Sequence, residues 1–539
     1  MRSQRRALWS FGLATVFTYA PATASVLTWR DLAALNASVG GHLHLATPFA
    51  LPCFSSFQGK SVSPDPVECD AIQANYTDSV MRSEHFGAMM NSQWETCQAT
   101  SSGCLLDVTD PVDPAAYQHR DCEIGNIPPA YVEVQSVEHI QAAYNFSRKT
   151  GIRLSVKNKG HDYKGRSSGR NTLSLWVSHL NADLMSFNES FTPEHCDASY
   201  KAITIGTGVG MQQLYAFADK HSVTAIGGYH KTVATGYFLG GGHSILSPVY
   251  GLGVDRVVQI KVVTPDGHLR TASECQDSDL FWALRGGGGS AFGVVTELTV
   301  KVEPQLTIQA ALIEFPSNST SLPAWYRIMI NNSLRWGQEG WGGHLVGGGL
   351  IYVNPRLNNS AAHSSMREAI DFAKEHGGVG LVDELPSWYA FFTKYVLTAE
   401  AAVGPEIVMG SRLLSTDLFA NDSGKEALAT AIDKVLPFST PYIVAGTPIG
   451  FPYVNGTTSV TPAWRSSLWH FIISKDFNYN STLLDRQSTY TDVSLHTQPF
   501  RDLTPEGGAY FNEGDVYEPS HRRSYWGNNY DKLLKTKQK

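Results

Sequence analysis

The feature that most limits what this chain can fold into is a polar, glycine-containing loop, residues 157–169 (KNKGHDYKGRSSG), set directly behind a β-α-β pattern. Residues 131–135 (YVEVQ) alternate as a strand does. Ser136 is placed to cap a helix with Ile140, Ala143 and Tyr144 on one face, Gly151 closes it, and residues 152–156 read as strand again. A second glycine-rich stretch, 227–257 (GGYHKTVATGYFLGGGHSILSPVYGLGVDRV), lies in the same block. Further strand-like segments fall at 173–177, 202–205, 257–263 and 294–302. Glycine lets a backbone approach a ligand closely, and successive inward N–H groups form a nest suited to a pyrophosphate. One such loop is commonly only a turn, as Gly240–Gly242 or Gly286–Gly289 could be. Two of them among strands point to a nucleotide cradle. The dinucleotide fingerprint is not the route, because Met211 stands where Gly206-Thr207-Gly208-Val209-Gly210 needs its last glycine. A Walker lysine motif and a Gly-x-Ser-x-Gly elbow are also missing.

The rest of the chain sets the context. At 539 residues it is too long for one ordinary core. Arg2, Arg5 and Arg6, the apolar stretch from Ala7 to Ala20 and Ala22-Thr23-Ala24 read as a signal peptide over 1–24, so a secreted protein is expected. Asn-x-Ser/Thr acceptors spread from Asn36 to Asn480 agree with a glycoprotein surface. Seven cysteines lack zinc spacing and suit disulfides, five of them between 53 and 122, with at least one left over. Residues 25–126 therefore read as a stapled entry segment, 127–304 as the nucleotide block, 305–500 as a second α+β domain, and 501–539 as a C-terminal segment. In the second domain, strands are expected at 308–315 and 348–353. A helix is expected to start from a Ser365/Glu368 capping box and run to Gly377. Trp388, Tyr389, Phe391 and Phe392 are expected in the core. A net charge of −7 excludes a nucleic-acid binder, and no apolar run is long enough for stable membrane insertion. His42 and His44 stand without an acidic or thiol partner set in sequence, so no metal site is expected.

Specific motifs then add a family resemblance. They are Gly160-His161-Asp162-Tyr163 with Gly165, Thr232-Val233 before Gly236-Tyr237, Gly240–Gly242 with His243, and Tyr250-Gly251-Leu252 with Asp255. Asp279 to Gly287 (DLFWALRGG), Tyr510-Phe511-Asn512-Glu513 and Trp526 to Tyr530 (WGNNY) complete the set. In this order they resemble the vanillyl-alcohol oxidase and p-cresol methylhydroxylase (PCMH) superfamily, and within it the fungal, secreted berberine-bridge-enzyme-like oxidases. The resemblance implies an α+β fold. A two-subdomain, PCMH-type FAD-binding domain would be joined to an α+β substrate domain with an antiparallel sheet, and the C-terminal segment would return to the FAD domain.

It also implies site roles. His161 sits where relatives bond an imidazole to the flavin 8α-carbon. Asn158, Lys159, Gly160, Asp162 and Gly165 would flank the pyrophosphate, while Thr232, Gly236, Gly240, Gly241 and Gly242 would form the second wall, with Asn512 beside the flavin. Tyr229 falls where many relatives carry a second, cysteinyl tether, so a single tether through His161 is expected. Glu513 is the expected base, with a pKa raised by burial, and Tyr510 a substrate-positioning partner. The bland reading of Glu513 is a carboxylate bonded to backbone, Arg522 or Arg523. The chain ends nearer to Tyr530 than relatives usually do, which could weaken support of the flavin site. The implied reaction is oxidation of a small organic, secondary-metabolite substrate by hydride transfer to flavin N5, with molecular oxygen as acceptor giving hydrogen peroxide. The rival readings are a dehydrogenase using another acceptor and a flavin-binding protein without turnover.

Overall fold

The computed structural model describes residues 29–539, so the signal-peptide reading lies outside the described residues. Three main sheets organise the chain. The first contains β1 (Leu43–Leu45), β2 (Ala130–Glu133), β3 (Arg153–Lys157) and β4 (Thr172–Trp176) in the order β1-β2-β4-β3. β2 and β3 each run parallel to β4, and β1 joins antiparallel at the β2 edge. Helix Val137–Thr150 crosses between β2 and β3. Its cap residue is Ser136, Gly151 ends it at φ 74°, and Ile140, Ala143 and Phe146 form its buried stripe. Phe146 thus takes the inward place expected of Tyr144, which is half-buried.

The second sheet is antiparallel: β5 (Met185–Phe191), β6 (Tyr200–Gly206), β7 (Val223–Ala225), β8 (Val257–Val263), β9 (Leu269–Ser273) and β10 (Val294–Pro304). Its order is β9-β8-β10-β6-β5, with β7 paired to the end of β10. Gly206 and Gly208 pack where a Cβ would strike the carbonyls of Asn181 and Ser178, so this pair serves close backbone packing.

The third sheet is also antiparallel: β11 (Ile308–Glu314), β12 (Gly342–Val346), β13 (Gly349–Asn354), β14 (Val379–Leu385), β15 (Glu406–Ser415), β16 (Tyr442–Ala445) and β17 (Ser467–Phe477). Its order is β14-β11-β13-β12-β16-β17-β15. Helices Ser321–Glu339, Asn359–Glu375 and Asp422–Val435 supply much of a core around Trp325, Trp336, Met366, Ile432 and Trp469. One helix start differs from expectation. Asn358 caps the Ala361 N–H at 2.9 Å, and Ser365 sits well inside the helix. The Ser365 hydroxyl instead binds Glu339 Oε2 (2.5 Å) and accepts from Trp341 Nε1 (3.1 Å), while Glu368 accepts from Asn332. The polar opening turns of this helix disguised it. Trp388, Phe391 and Phe392 are buried core, as expected, whereas Tyr389 is only partly buried against it.

The entry segment carries disulfides Cys53–Cys69 and Cys104–Cys122. Cys196–Cys275 ties the second sheet, and Cys97 is free. The segment is wedged between the other units. The buried Lys157 ammonium donates to the carbonyls of His85 (2.9 Å), Phe86 (2.6 Å) and Ala88 (2.6 Å). Met90 N–H donates to Gly160 O (3.2 Å), and Met90 O accepts from Gly404 N–H (2.7 Å). The C-terminal segment returns to the first loop: Lys164 Nζ donates to Asp515 O (2.9 Å), and helix Tyr530–Gln538 packs on helix Ser278–Leu284.

Candidate active site

The two glycine-rich loops meet at His161, whose Nε2 lies 2.7 Å from Thr232 Oγ1. Burial, with His230 close by at 4.5 Å between ring centroids, holds the His161 pKa well below the usual imidazole value, so the ring is neutral. Gly160 (φ 86°) and Gly165 (φ 69°) turn the first loop through backbone conformations that favour glycine. Asp162 faces its own loop, accepting from Lys164 N (3.1 Å), Ser167 N (2.8 Å) and Arg166 Nε (2.9 Å). Burial pushes its carboxyl up, but Arg166 and these N–H groups outweigh that and hold it low. Lys159 turns to Glu84 (3.0 Å). Asn158 Nδ2 donates to Thr207 O (2.8 Å), leaving its buried Oδ1 without a hydrogen-bond partner.

On the second loop, Gly236 opens a short helix and faces open space where a side chain would begin. A Cβ at Gly240 would come within 3.2 Å of the Tyr510 hydroxyl. Gly241 (φ 126°) and Gly242 (φ 75°) carry the chain onward, their carbonyls accepting from Val254 N and Gly253 N. Asn512 connects the C-terminal segment to this centre by donating to His161 O at 3.2 Å and accepting from Arg166 at 2.5 Å. The loops thus combine an open face at Gly236, an unpartnered amide oxygen and a neutral buried imidazole. This donor and acceptor set fits a flavin nucleotide.

Glu513, its side chain 16% exposed, faces histidines, not Arg522 or Arg523. Its carboxylate oxygens lie 3.5 Å from His243 Nε2 and 3.5 Å from His470 Nδ1. Tyr229, in the place considered for a second tether, brings its hydroxyl to 2.6 Å from His243 Nδ1. The third sheet supplies the opposite side. His344 on β12, Val444 on β16 and His470 on β17 form one cross-strand row, so they share a face, and the Tyr442 hydroxyl lies 2.5 Å from His344 Nδ1. Burial drives the His344 and His470 pKa values down to about 3.

The expected rise in the Glu513 pKa is not found. Burial pushes it up, but the charge and hydrogen bond of His243, with smaller contributions from His470 and His344, hold it below its usual value. His344 and His470 are neutral above about pH 3. Tyr510, within 5.2 Å of the His243 ring centroid, is raised by burial and the nearby carboxylate and stays protonated.

His243, His470 and Glu513 also place one potential metal ligand each within 4.8 Å of one another. The same holds for His42, His44 and Glu133, which corrects the view of His42 and His44 as isolated. Sequence reasoning quoted His243 only as part of a motif and missed His344, Tyr442 and His470. The one signal was a lone histidine inside an apolar strand, as in Leu468-Trp469-His470-Phe471, which is usually core.

Comparison with known proteins bears on this geometry directly. A family model described as "FAD binding domain" matches residues 128–273, and one described as "Berberine and berberine like" matches 509–539. The chain is 37% identical to the FAD-linked oxidoreductase ffsJ of Aspergillus flavipes, over 96% of this chain and 91% of that protein. This chain belongs to the berberine-bridge-like FAD-linked oxidoreductases. The fold of this oxidoreductase matches the VAO-type flavoprotein MtVAO615 of Myceliophthora thermophila, with a TM-score of 0.83 and 25% identity, over 96% of this chain and 94% of that one. Glucooligosaccharide oxidase of Acremonium strictum shares the fold (TM-score 0.63, 21% identity, 76% and 88% coverage). Its FAD is described as 6-S-cysteinyl, 8α-N1-histidyl.

Proposed function

We propose that this FAD-linked oxidoreductase oxidises a small organic metabolite, with Glu513 as the base and His161 as the single covalent anchor of the flavin. The observation that carries the reading is the largely buried, ionised Glu513 carboxylate, framed by His243 and His470, with Tyr510 between it and the Gly240 wall. A largely buried carboxylate that faces imidazoles at 3.5 Å is free to take a proton from a substrate O–H or N–H. With the Tyr229 hydroxyl donating to His243 Nδ1, the imidazole carries its proton on Nε2 and presents it to Glu513, fixing the carboxylate's orientation. Tyr510 and the row of His344 and His470 offer polar contacts to a bound substrate.

The neutral His161 ring is suited to carry the flavin, and Tyr229 occupies the place of a second tether, so the attachment is single. Asn158, Gly160, Gly236 and Gly240–Gly242 would line the pyrophosphate, whereas Asp162 and Gly165 shape the first loop. Asp162 spends its carboxylate on that loop's own N–H groups and Arg166. When bound, the flavin would supply a two-electron acceptor at N5, with oxygen as the proposed final acceptor giving hydrogen peroxide. The three disulfides suit the oxidising secretory pathway.

The test has two arms. His161→Ala should abolish ultraviolet fluorescence of the denatured band, and flavin fully released from wild type by acid would defeat the tether. Glu513→Gln should slow substrate-driven bleaching of the flavin by about 10²-fold. An unchanged rate would remove Glu513 from the reaction. A substrate panel screened by peroxide release supplies the assay.

A further inference from the structure

β1 is only three residues long and sits at the edge of the first sheet, yet it brings two histidines against an acidic neighbour. Leu43 pairs with Val132 and His44 with Tyr131, and Glu133 N–H donates to His42 O at 2.9 Å. Side chains alternate along a strand, so His42 and His44 share a face, and Glu133 opposite His42 lies on that same face. His42, His44 and Glu133 each offer one ligand atom, all within 4.8 Å of one another.

Two further observations favour a cation at this cluster. His44 Nε2 is shielded from water with no hydrogen-bond partner, and it faces Glu133 Oε2 at 3.5 Å. Glu133 is held in place from behind: its Oε1 meets His179 Nδ1 at 2.9 Å, and His179 Nε2 meets Glu84 Oε2 at 2.9 Å. A ligand carboxylate fixed through one oxygen, with the other left facing the site, is the usual outer support of a metal centre.

We propose that His42, His44 and Glu133 form an open site for a late first-row divalent ion, zinc or copper, with water completing the coordination. Two imidazoles and a carboxylate suit these ions. Bond lengths of about 2.0–2.2 Å require the ligand atoms to close to roughly 3.3 Å, a shift of about 1.5 Å from the widest present separation. The side chain of His44 is 41% exposed, and half-exposed side chains have room for that movement. The ion would staple the edge strand β1 to β2. Glu84, at the far end of the support, also binds Lys159, so the same chain of contacts ends beside the His161 loop.

The test uses the full-length, tag-free, flavin-loaded protein after chelator treatment, titrated by calorimetry with zinc chloride and separately with copper chloride. One equivalent should bind saturably. His42→Gln and His44→Gln should each weaken it by at least about 50-fold, since loss of an outer support alone costs 10–100-fold. His470→Gln should leave the binding in place, which separates this site from the cluster around Glu513. Because β1 is short, a second measurement guards against misfolded variants. The copper paramagnetic spectrum of the wild type should show coupling to two nitrogens. No saturable binding, a spectrum without nitrogen coupling, or binding that survives both β1 variants and is lost with His470→Gln would overturn the proposal.

Discussion

Gly165→Ala is the sharpest probe of how the first loop is built. Gly165 has φ 69°, and a Cβ there would lie 2.7 Å from Trp94 Cδ2 in the entry segment. The left-handed backbone alone costs an L-residue about 1–2 kcal/mol. Overpacking a rigid indole adds about 1–3 kcal/mol, for a total near 2–5 kcal/mol. Gly59 is the matched control. Its φ is 72°, but nothing lies within 4 Å of its would-be Cβ, so Gly59→Ala should show only the backbone cost. The assay is the thermal midpoint at a fixed scan rate, with flavin absorbance retained after gel filtration as second readout. Gly165→Ala should lower the midpoint well beyond Gly59→Ala, and the excess should shrink in a Trp94→Leu background. Equal losses from the two glycines, or an excess untouched by Trp94→Leu, would refute the argument that Trp94 dictates this glycine.

Burial holds the His344 and His470 pKa values at about 3, below the unfolded value of 6.5, so protons favour the unfolded chain. Their stabilisation is complete above about pH 6.5 and is lost as the pH falls. By pH 5 the loss is about 2 kcal/mol for each ring. Midpoints at pH 7.5 and 5.0 should therefore separate less in His470→Gln than in wild type, and an identical separation would count against the burial argument. Tyr229→Phe removes the partner of His243 Nδ1 and should lower kcat about tenfold, the scale of one hydrogen bond, while shifting the acid limb of the pH–rate profile. A fall in affinity alone, seen only in KM, would assign Tyr229 to packing. Replacing Cys196 and Cys275 by alanine opens a loop with a sequence separation of 79 and should cost about 4 kcal/mol, read as a lowered midpoint of the non-reduced protein.

The β-α-β entry to the first loop was legible because its signals are local. Alternation, a cap residue and a closing glycine all lie within a few residues of what they control. His161 and Thr232 were legible as members of two loops, although only the fold brings their side chains to 2.7 Å. The histidine row was not. His344 and His470 are distant in sequence, each lies in an apolar strand, and their meeting depends on β16 pairing between β12 and β17. The sign of the Glu513 shift was misjudged for a related reason: burial was foreseen, but not the imidazole that outweighs it. His42 and Glu133 are likewise joined only by an edge pairing between distant segments.

Met90 spends one backbone group on each half of the molecule, its N–H on Gly160 and its carbonyl on Gly404. Gln93, three residues on, exchanges further bonds with Ile407. A chimera that exchanged residues 305–500 alone for a relative's would therefore set these bonds against a foreign backbone path while keeping every residue of the first loop. An exchange that keeps these contacts native carries the stretch from His85 to Thr96 along with the sheet it touches.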